Sequence, residues 1–238
     1  MTVDAIVFDW GGTLTLPITL DELDELWHVV ARHIAPDRED EVAAHMARVE
    51  AECWARVNTD QKAFSLGALL ERCSEELGMD ATGALLEEAA AHHLDWWTPR
   101  IAHDPDAAPT LAALKGEGVR IGLLSNTHWP RSFHENFLER EGLVEFIDVR
   151  CYTSEMAHTK PHPEAFRTVL RELDVKATDA VFVGDRLYDD IFGAKALGMK
   201  AVHRRDRGVP DYDVQPDAVI DRLPELIPLV DKWLTDPS

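Results

Sequence analysis

A short apolar segment that runs directly into an acidic, glycine-rich turn constrains this chain more than any other feature. Residues 5–8 read Ala-Ile-Val-Phe, and Asp-Trp-Gly-Gly-Thr follows at positions 9–13. A continuous apolar run is typical of a parallel strand that is buried on both faces. Asp9 therefore falls at the carboxyl end of a strand, where open α/β sheets bind their ligands. A carboxylate there can serve as a nucleophile or a metal ligand, although Asp and Gly also occur in ordinary turns.

Three later segments carry polar residues next to predicted strands or helices, in a fixed order along the chain. Two of them follow apolar runs that are typical of strands, and the third precedes a helical stretch. Their polar residues are Ser125 and Asn126, then Lys160, then Asp185 with the acidic pair Asp189 and Asp190. Together with Asp9 they supply a candidate nucleophile, a hydroxyl, a lysine and a distal acidic group. The ordered set is far more specific than any of its parts.

The spacing of apolar residues divides the chain into two parts. Residues 16–104 show helical spacing, and the predicted helices are 20–30, 39–57, 66–77 and 81–94. From about residue 105 strands and helices alternate, which implies a parallel sheet. The predicted strands there are 119–124, 146–151, 180–183, 200–203 and 218–220, and the predicted helices are 110–115, 132–141, 164–173, 191–197 and a C-terminal helix. We therefore expect an α/β core domain made of residues 1–15 and 105–238, with an all-helical domain at 16–104 inserted into it.

Composition limits the class of partner. The chain has 24 Lys and Arg against 44 Asp and Glu, which gives a formal net charge of −20. Such an acidic surface repels nucleic acids and anionic membranes, so we expect neither as a partner. The three cysteines are few and widely spaced, and no leader or membrane-length apolar run is recognisable. These features predict a cytoplasmic protein, and we expect a monomer or a homodimer.

In these motifs and their order the chain resembles the haloacid dehalogenase superfamily, from Val3 to about Leu226. The resemblance implies an α/β fold with a doubly wound parallel sheet. It also implies an inserted helical cap of the C1 type, whose closure over the active site excludes water. The expected activity is that of a phosphatase acting on a small phosphorylated metabolite. In such an enzyme the carboxylate of Asp9 attacks phosphorus, and water then hydrolyses the aspartyl-phosphate.

The resemblance also assigns roles to the other motif residues. Mg²⁺ would be held by Asp9, the backbone carbonyl of Gly11, Asp185 and Asp190. Asp189 is the alternative to Asp190, which is favoured because relatives usually carry an Asp five residues after the first. Whichever of the two serves the site would hold metal-bound water or orient the lysine. The phosphate group would be bound by Ser125, Asn126, Lys160 and Gly12, and Ser125 and Lys160 would also act in catalysis.

Position 11 departs from the pattern of the phosphatases in this family. They usually carry a second Asp two residues after the nucleophile, and general acid–base help of this kind contributes about 10²–10⁴-fold. Gly11 has no proton to give. Either the substrate has a good leaving group, or another group supplies the proton, such as a cap residue, His128 or the substrate itself. The third possibility is that the enzyme is slow or is not a phosphatase.

Two other functions are open on the sequence alone. Haloacid dehalogenases also lack the second Asp, but they typically have Tyr in its place and use no metal. The acidic residues after Gly184 favour metal-dependent chemistry instead. The other alternative is a catalytically attenuated relative that binds a ligand or a partner without turnover. EDTA should inhibit a phosphatase and leave a dehalogenase active.

Two further features each have two interpretations. Trp96 and Trp97 either line a substrate pocket or pack the helical cap against the core. The basic run of Arg204, Arg205 and Arg207 either attracts phosphate or lies in a solvated loop.

Overall fold

A six-stranded sheet forms the centre of the computed structural model, which describes residues 3–17, 23–79, 82–206 and 208–235. The strands are β1 (Ala5–Phe8), β2 (Arg120–Ser125), β3 (Val149–Tyr152), β4 (Ala180–Gly184), β5 (Lys200–Arg204) and β6 (Ala218–Ile220). They are all parallel and lie in the order β3-β2-β1-β4-β5-β6. Strands β2 and β3 lie on one side of β1, and β4, β5 and β6 lie on the other side. This doubly wound order makes the carboxyl end of β1 a switch point, where such sheets bind ligands.

Strand β1 is buried on both faces because its side chains alternate between two apolar cores. Ile6 and Phe8 belong to one core, and Ala5 and Val7 belong to the other. Each face of the sheet must therefore be covered by helices. This explains why the strand is a continuous apolar run rather than an alternating one.

A helical insertion follows β1, and further helices cover the sheet. The insertion consists of α1 (Leu23–Ile34), α2 (Glu39–Asp60), α3 (Leu66–Glu76) and α4 (Gly83–Trp97). The later helices are α5 (Ala107–Gly116), α6 (Arg131–Arg140), α7 (Pro163–Glu172), α8 (Gly193–Ala196) and α9 (Leu226–Thr235). Helices α5, α6 and α9 share a core with Ile6 and Phe8, whereas α7 and α8 pack against Ala5 and Val7. The predicted fold class, an α/β sheet with an all-helical insertion, is confirmed.

Local sequence signals explain the bounds of the inserted helices. The side chain of Ser65 accepts a hydrogen bond from the N–H of Ala68 and caps α3, and Thr82 caps α4 in the same way. Helix α2 runs for 22 residues and ends at Asp60, and the next residue, Gln61, has a left-handed backbone with φ 55°. Residues 20–22 and 81, which were predicted to begin two of these helices, lie outside the described residues.

The two segments that join the insertion to the sheet lie side by side. Thr15 and His103 form an antiparallel bridge, and the N–H of Asp104 donates to the carbonyl of Leu14 at 2.9 Å. Arg204, at the end of β5, bonds to both segments of this junction. Its buried guanidinium bonds to the carboxylate of Asp104 and to the carbonyl of Thr13. Arg204 is therefore a structural residue and lies neither in a solvated loop nor against a phosphate site.

The other two arginines of the basic run have different surroundings. Arg205 pairs with Asp221 on the surface at 2.8 Å, with more than half of each side chain exposed. It lies in a solvated position, as one of the two interpretations expects. Arg207 is outside the described residues.

Two predicted elements have different bounds in the structure. The predicted strand 146–151 begins only at Val149, because the carboxylate of Asp148 accepts the N–H of Ile121 at 2.8 Å in place of a strand partner. The predicted helix 191–197 begins earlier, as a π-helix at Leu187–Phe192 that leads into α8. None of the helices in the described ranges is both long enough and apolar enough to cross a membrane.

Candidate active site

Asp9 lies directly after β1, between β2 and β4, at the carboxyl edge of the sheet. Its N–H donates to the carbonyl of Val183 at 2.9 Å, so the pairing of β1 with β4 continues one residue beyond the strand. Only 7% of Asp9 is exposed. The structure thus holds this carboxylate at a fixed, buried position, as the sequence predicts.

Lys160 connects two buried carboxylates. Its Nζ lies 2.6 Å from Oδ1 of Asp9 and 2.7 Å from Oδ1 of Asp190, and the residue is almost completely buried. Burial alone would lower the pKa of Lys160, but the charges of Asp190 and Asp9 raise the pKa above its ordinary value. The lysine therefore stays protonated and provides a fixed positive charge beside Asp9.

The structure distinguishes Asp190 from Asp189. Oδ1 of Asp190 forms an ion pair with Lys160, and Oδ2 accepts the N–H of Arg186 at 3.0 Å. A Cβ at Gly184 would collide with this carboxylate, so glycine is required there. Asp189 instead lines the cavity above the site, and burial together with Asp190 raises its pKa to about 6. This geometry suits Asp190 for orienting the lysine, and its role as a metal ligand stays a prediction.

Three buried carboxylates meet at the end of β1. One oxygen each from Asp9, Asp185 and Asp190 lies within 4.8 Å of the other two. Burial raises the pKa of Asp9 to about 6, although Lys160 opposes the shift. Burial and the charges of Asp9 and Asp190 raise the pKa of Asp185 to about 8. This excess of buried negative charge is what a divalent cation would neutralise, and carboxylate oxygens are the ligands that Mg²⁺ prefers. The residues present therefore fit Mg²⁺.

The two glycines after Asp9 face different constraints. Gly12 has φ 75°, and a Cβ there would lie 2.8 Å from Oδ2 of Asp185, so both the turn and the close approach require glycine. Gly11 is not restricted in this way, because a Cβ there would meet no atom within 4 Å. Position 11 therefore has room for a Cβ. The turn is further held by Thr15, whose hydroxyl accepts the N–H of Gly12 at 3.0 Å.

Asn126 positions the lysine segment through its amide group. Its Oδ1 accepts the N–H of Lys160 at 2.8 Å, and its Nδ2 donates to the carbonyl of Lys160 at 3.0 Å. Ser125 ends β2, is buried and lines the cavity beside Asp9. The phosphate-binding roles of Ser125, Asn126, Lys160 and Gly12 stay predictions, and the structure adds a positioning role for the asparagine.

A cavity of about 370 Å³ opens above these residues, and we call it the catalytic cavity. Its lining includes every predicted site residue except Asp190. It also includes side chains that the sequence did not single out, among them Trp129, His134, Arg186 and Asp206. Arg186 directly follows Asp185, but one charged residue in a loop gives no signal by itself. Trp129 lies in the segment after β2, and His134 lies in α6. Both reach the site only through the fold of the chain after β2.

A second cavity of about 520 Å³ lies between the insertion and the sheet, and we call it the distal cavity. Its lining includes Trp27, Glu50, Trp54, Trp97, His128 and Trp129. Burial lowers the pKa of His128 to about 3, so its ring is neutral at neutral pH and the structure disfavours it as the missing acid. Trp97 lines this cavity, whereas the ring of Trp96 lies 3.7 Å from the guanidinium carbon of Arg100.

Comparisons with known proteins agree with this geometry. Residues 3–198 match the haloacid dehalogenase-like hydrolase family. A glyceraldehyde 3-phosphate phosphatase from Pyrococcus furiosus is 35% identical over 132 residues, which are 54% of each chain. Another, from Methanopyrus kandleri, is 31% identical over 162 residues, which are 63% of this chain and 69% of the relative. The chain thus spans between half and about two thirds of the length of these relatives.

A solved structure shares the fold. The 2-haloacid dehalogenase from Pseudomonas syringae pv. Tomato DC3000 has a TM-score of 0.74 and 23% identity, and the alignment covers 98% of this chain and 100% of that one. At this identity the similarity concerns the fold alone. The family match over most of the sequence, together with the relatives, shows that the chain belongs to the haloacid dehalogenase-like hydrolase family.

Proposed function

We propose that this protein is a Mg²⁺-dependent phosphatase that hydrolyses a small phosphorylated metabolite through an aspartyl-phosphate on Asp9. The observation that carries the proposal is the buried set of carboxylates, Asp9, Asp185 and Asp190, arranged around Lys160. The names of the two relatives, both phosphatases of a three-carbon sugar phosphate, support the same type of reaction.

Asp9, the carbonyl of Gly11 and Asp185 would hold Mg²⁺, with Asp190 beside them. When bound, the ion offsets the negative charge of the carboxylates and of the phosphate group. The side chain of Lys160 supplies a second positive charge, which keeps Asp9 ionised and stabilises charge as it develops on the phosphoryl oxygens. The hydroxyl of Ser125 and the backbone of Gly12 would orient those oxygens.

The reaction has two steps. A carboxylate oxygen of Asp9 forms a bond to phosphorus while the bond from phosphorus to the leaving oxygen breaks. Water then attacks the aspartyl-phosphate, which restores Asp9 and releases inorganic phosphate. Because its pKa is about 6, Asp9 is ionised at neutral pH and ready to attack.

The open position at Gly11 determines which substrates react well. No carboxyl group stands there to protonate the leaving oxygen. Leaving groups that are stable as anions, such as those of aryl and acyl phosphates, should therefore react faster than alkoxides.

A 2-haloacid dehalogenase is the competing function, and the fold is compatible with both. The pair formed by Asp9 and Lys160 suits either reaction, since both need an ionised nucleophile. The buried Asp185 favours the phosphatase, because burial and two neighbouring carboxylates make its charge costly unless a cation is bound.

The decisive experiment measures hydrolysis of p-nitrophenyl phosphate and acetyl phosphate, with Mg²⁺ and with EDTA, by the wild type and by Asp9→Asn. We expect turnover that requires Mg²⁺ and is lost in the variant. Release of chloride from 2-chloropropionate in the presence of EDTA would instead establish the dehalogenase. Absence of turnover on all three compounds would point to a relative that only binds its ligand.

We also propose that residues 16–104 act as a cap domain over the core formed by 1–15 and 105–238. The support is the junction at Thr15 and His103, where the chain enters and leaves the insertion, and the distal cavity between the two parts. We further propose that the protein acts in the cytoplasm as a monomer or homodimer. Its three free cysteines are consistent with a reducing compartment.

A further inference from the structure

The catalytic and distal cavities are neighbours in the structure. Both are lined by Asn126, Thr127, Trp129 and Arg186. The insertion contacts the segment between them, because the N–H of Leu66 donates to the carbonyl of His128 at 2.7 Å. A substrate whose phosphate group lies at Asp9 would therefore extend its remaining part into the distal cavity.

Aromatic rings dominate the wall of the distal cavity. Trp27 and Trp54 come from α1 and α2, Trp97 comes from α4, and Trp129 comes from the segment after β2. The rings of Trp97 and Trp129 are in contact, with their centroids 5.2 Å apart. Large rigid rings gain most from contact with another flat or apolar group. The wall therefore favours a substrate with a ring or a compact apolar part.

The polar groups of this cavity are arranged around Glu50. Its Oε2 accepts the indole N–H of Trp27 at 2.8 Å, and its Oε1 lies 3.5 Å from Nε2 of His128. Burial raises the pKa of Glu50. Within the described residues, the indole N–H of Trp97 has no hydrogen-bond partner, although Trp97 is more than nine-tenths buried. Buried polar groups normally have partners, so unused ones next to a cavity point to a ligand.

Positive charge is scarce in the distal cavity. Within the described part of its lining, Arg186 is the single cation. Its side chain is 58% exposed and lies 3.9 Å from Asp189. Arg56 of the insertion pairs weakly with Asp60 and does not line either cavity. A second phosphate or a carboxylate on the substrate would therefore face the carboxylate of Glu50, and Arg186, which already lies beside Asp189, is the one cation in the described lining that could offset it.

We propose that the distal cavity selects phosphate monoesters whose alcohol has a flat ring or compact apolar part, carries an O–H or N–H donor for Glu50, and bears no second anionic group. This inference rests on the proposed phosphatase function and adds the substrate class. Glu50 is the specificity residue, because its carboxylate attracts a donor and repels an anion at the same place.

Three aryl phosphates test the proposal with the wild type. They are para-hydroxymethyl, para-aminomethyl and para-carboxymethyl phenyl phosphate, in which the methylene separates the test group from the ring. The phenols therefore differ little as leaving groups, and differences in kcat/KM report on the distal cavity. We expect the first two compounds to exceed the carboxymethyl compound by about tenfold or more. Equal or better turnover of the carboxymethyl compound would overturn the proposal.

Glu50→Gln tests the residue, with Glu52→Gln as the matched control on the same helix. Glu52 pairs with arginines on the surface and does not line the distal cavity. We expect Glu50→Gln to reduce the ratio of kcat/KM for the aminomethyl and carboxymethyl compounds by about tenfold, since the variant keeps an acceptor but loses the charge. The control should keep the ratio of the wild type. An unchanged ratio in a folded Glu50→Gln would remove Glu50 from the proposal.

Acetyl phosphate separates this inference from the proposed function. It is too small to reach from Asp9 into the distal cavity, so its hydrolysis depends on the catalytic cavity alone. If acetyl phosphate is hydrolysed and the aryl series shows no preference, only the substrate class is wrong. If no phosphate compound is hydrolysed, the phosphatase function itself is wrong.

Discussion

At the scale of single residues, Gly11 is the position where this site differs most from the usual phosphatase pattern. A Cβ there meets no atom within 4 Å, so Gly11→Asp should fit without displacing a neighbour. The new carboxyl group can protonate a poor leaving group. We expect kcat for alkyl phosphates to rise by about tenfold or more relative to kcat for aryl phosphates. Steady-state rates with both substrate types test this.

Two substitutions serve as controls for Gly11→Asp. Gly11→Ala adds a side chain without a proton and should leave the ratio of alkyl to aryl turnover unchanged. Gly12→Ala should abolish activity, since its Cβ would lie 2.8 Å from Oδ2 of Asp185 in a backbone with φ 75°. An equal loss with both substrate types in Gly11→Asp would contradict the idea that a missing acid limits the rate.

The buried carboxylates also predict how stability depends on pH in the metal-free protein. Folding raises the pKa of Asp185 from 3.8 to about 8 and that of Asp9 from 3.8 to about 6. Between these values the folded state binds protons that the unfolded state has released, so the free energy of unfolding falls as the pH rises. In EDTA, the thermal midpoint should decrease between about pH 7 and pH 8, where Asp185 still titrates, because at lower pH the buried histidines, whose pKa values burial lowers, have the opposite effect.

Two measurements identify the source of this pH dependence, one on the variant Asp185→Asn and one on the wild type with Mg²⁺. Asparagine cannot ionise, so the thermal midpoint of the variant should decrease much less as the pH rises. At pH 8 in EDTA it should be about 4 °C higher than that of the wild type. Mg²⁺ should reduce the decrease in the wild type, because the ion compensates the same charge. A variant that keeps the full decrease would show that other groups cause it.

At the scale of elements, Arg204 connects the end of β5 to both segments of the junction. Removing its charge by Arg204→Met leaves the buried carboxylate of Asp104 without its cation, with the N–H of Asp106 still bonded to Oδ1. We expect this to lower the free energy of unfolding by about 3–5 kcal/mol. Arg205→Met is the matched control, because its pair with Asp221 is exposed and should contribute about 0–1 kcal/mol. Urea denaturation measures the free energy of unfolding of both variants. A similar loss in the two would contradict the structural role of Arg204.

The sequence predicted the strands and helices well where one local pattern dominates. Strands β1, β2, β4, β5 and β6 match their predicted positions within a residue or so, because each contains a short apolar segment. The start of β3 was missed because it depends on a contact between residues far apart in the sequence, in which the N–H of Ile121 donates to the carboxylate of Asp148. Likewise, Asp9 and Lys160 could be found from their motifs. Glu50 and Trp129 could not, since they meet only when the insertion covers the sheet.

At the scale of the whole molecule, the net charge of −20 opposes the approach of an anionic substrate. Salt screens this repulsion, and the screening length falls to about 8 Å at physiological ionic strength. We therefore expect kcat/KM for a phosphate monoester to rise with NaCl at constant Mg²⁺, while kcat changes little. A fall in kcat/KM over the same range would mean that local cations attract the substrate more strongly than the whole molecule repels it.

The junction at Thr15 and His103 has a consequence for how such a protein can change over evolutionary time. The chain leaves the sheet and returns to it at neighbouring points. For the sheet, the whole insertion is therefore equivalent to one loop between β1 and β2. The cost of closing a loop grows only slowly with its length. The insertion can therefore be lengthened, shortened or exchanged while β1 and β2 keep their spacing. The proposed nucleophile Asp9, in the core, and the proposed specificity residue Glu50, in the insertion, can therefore evolve independently of each other.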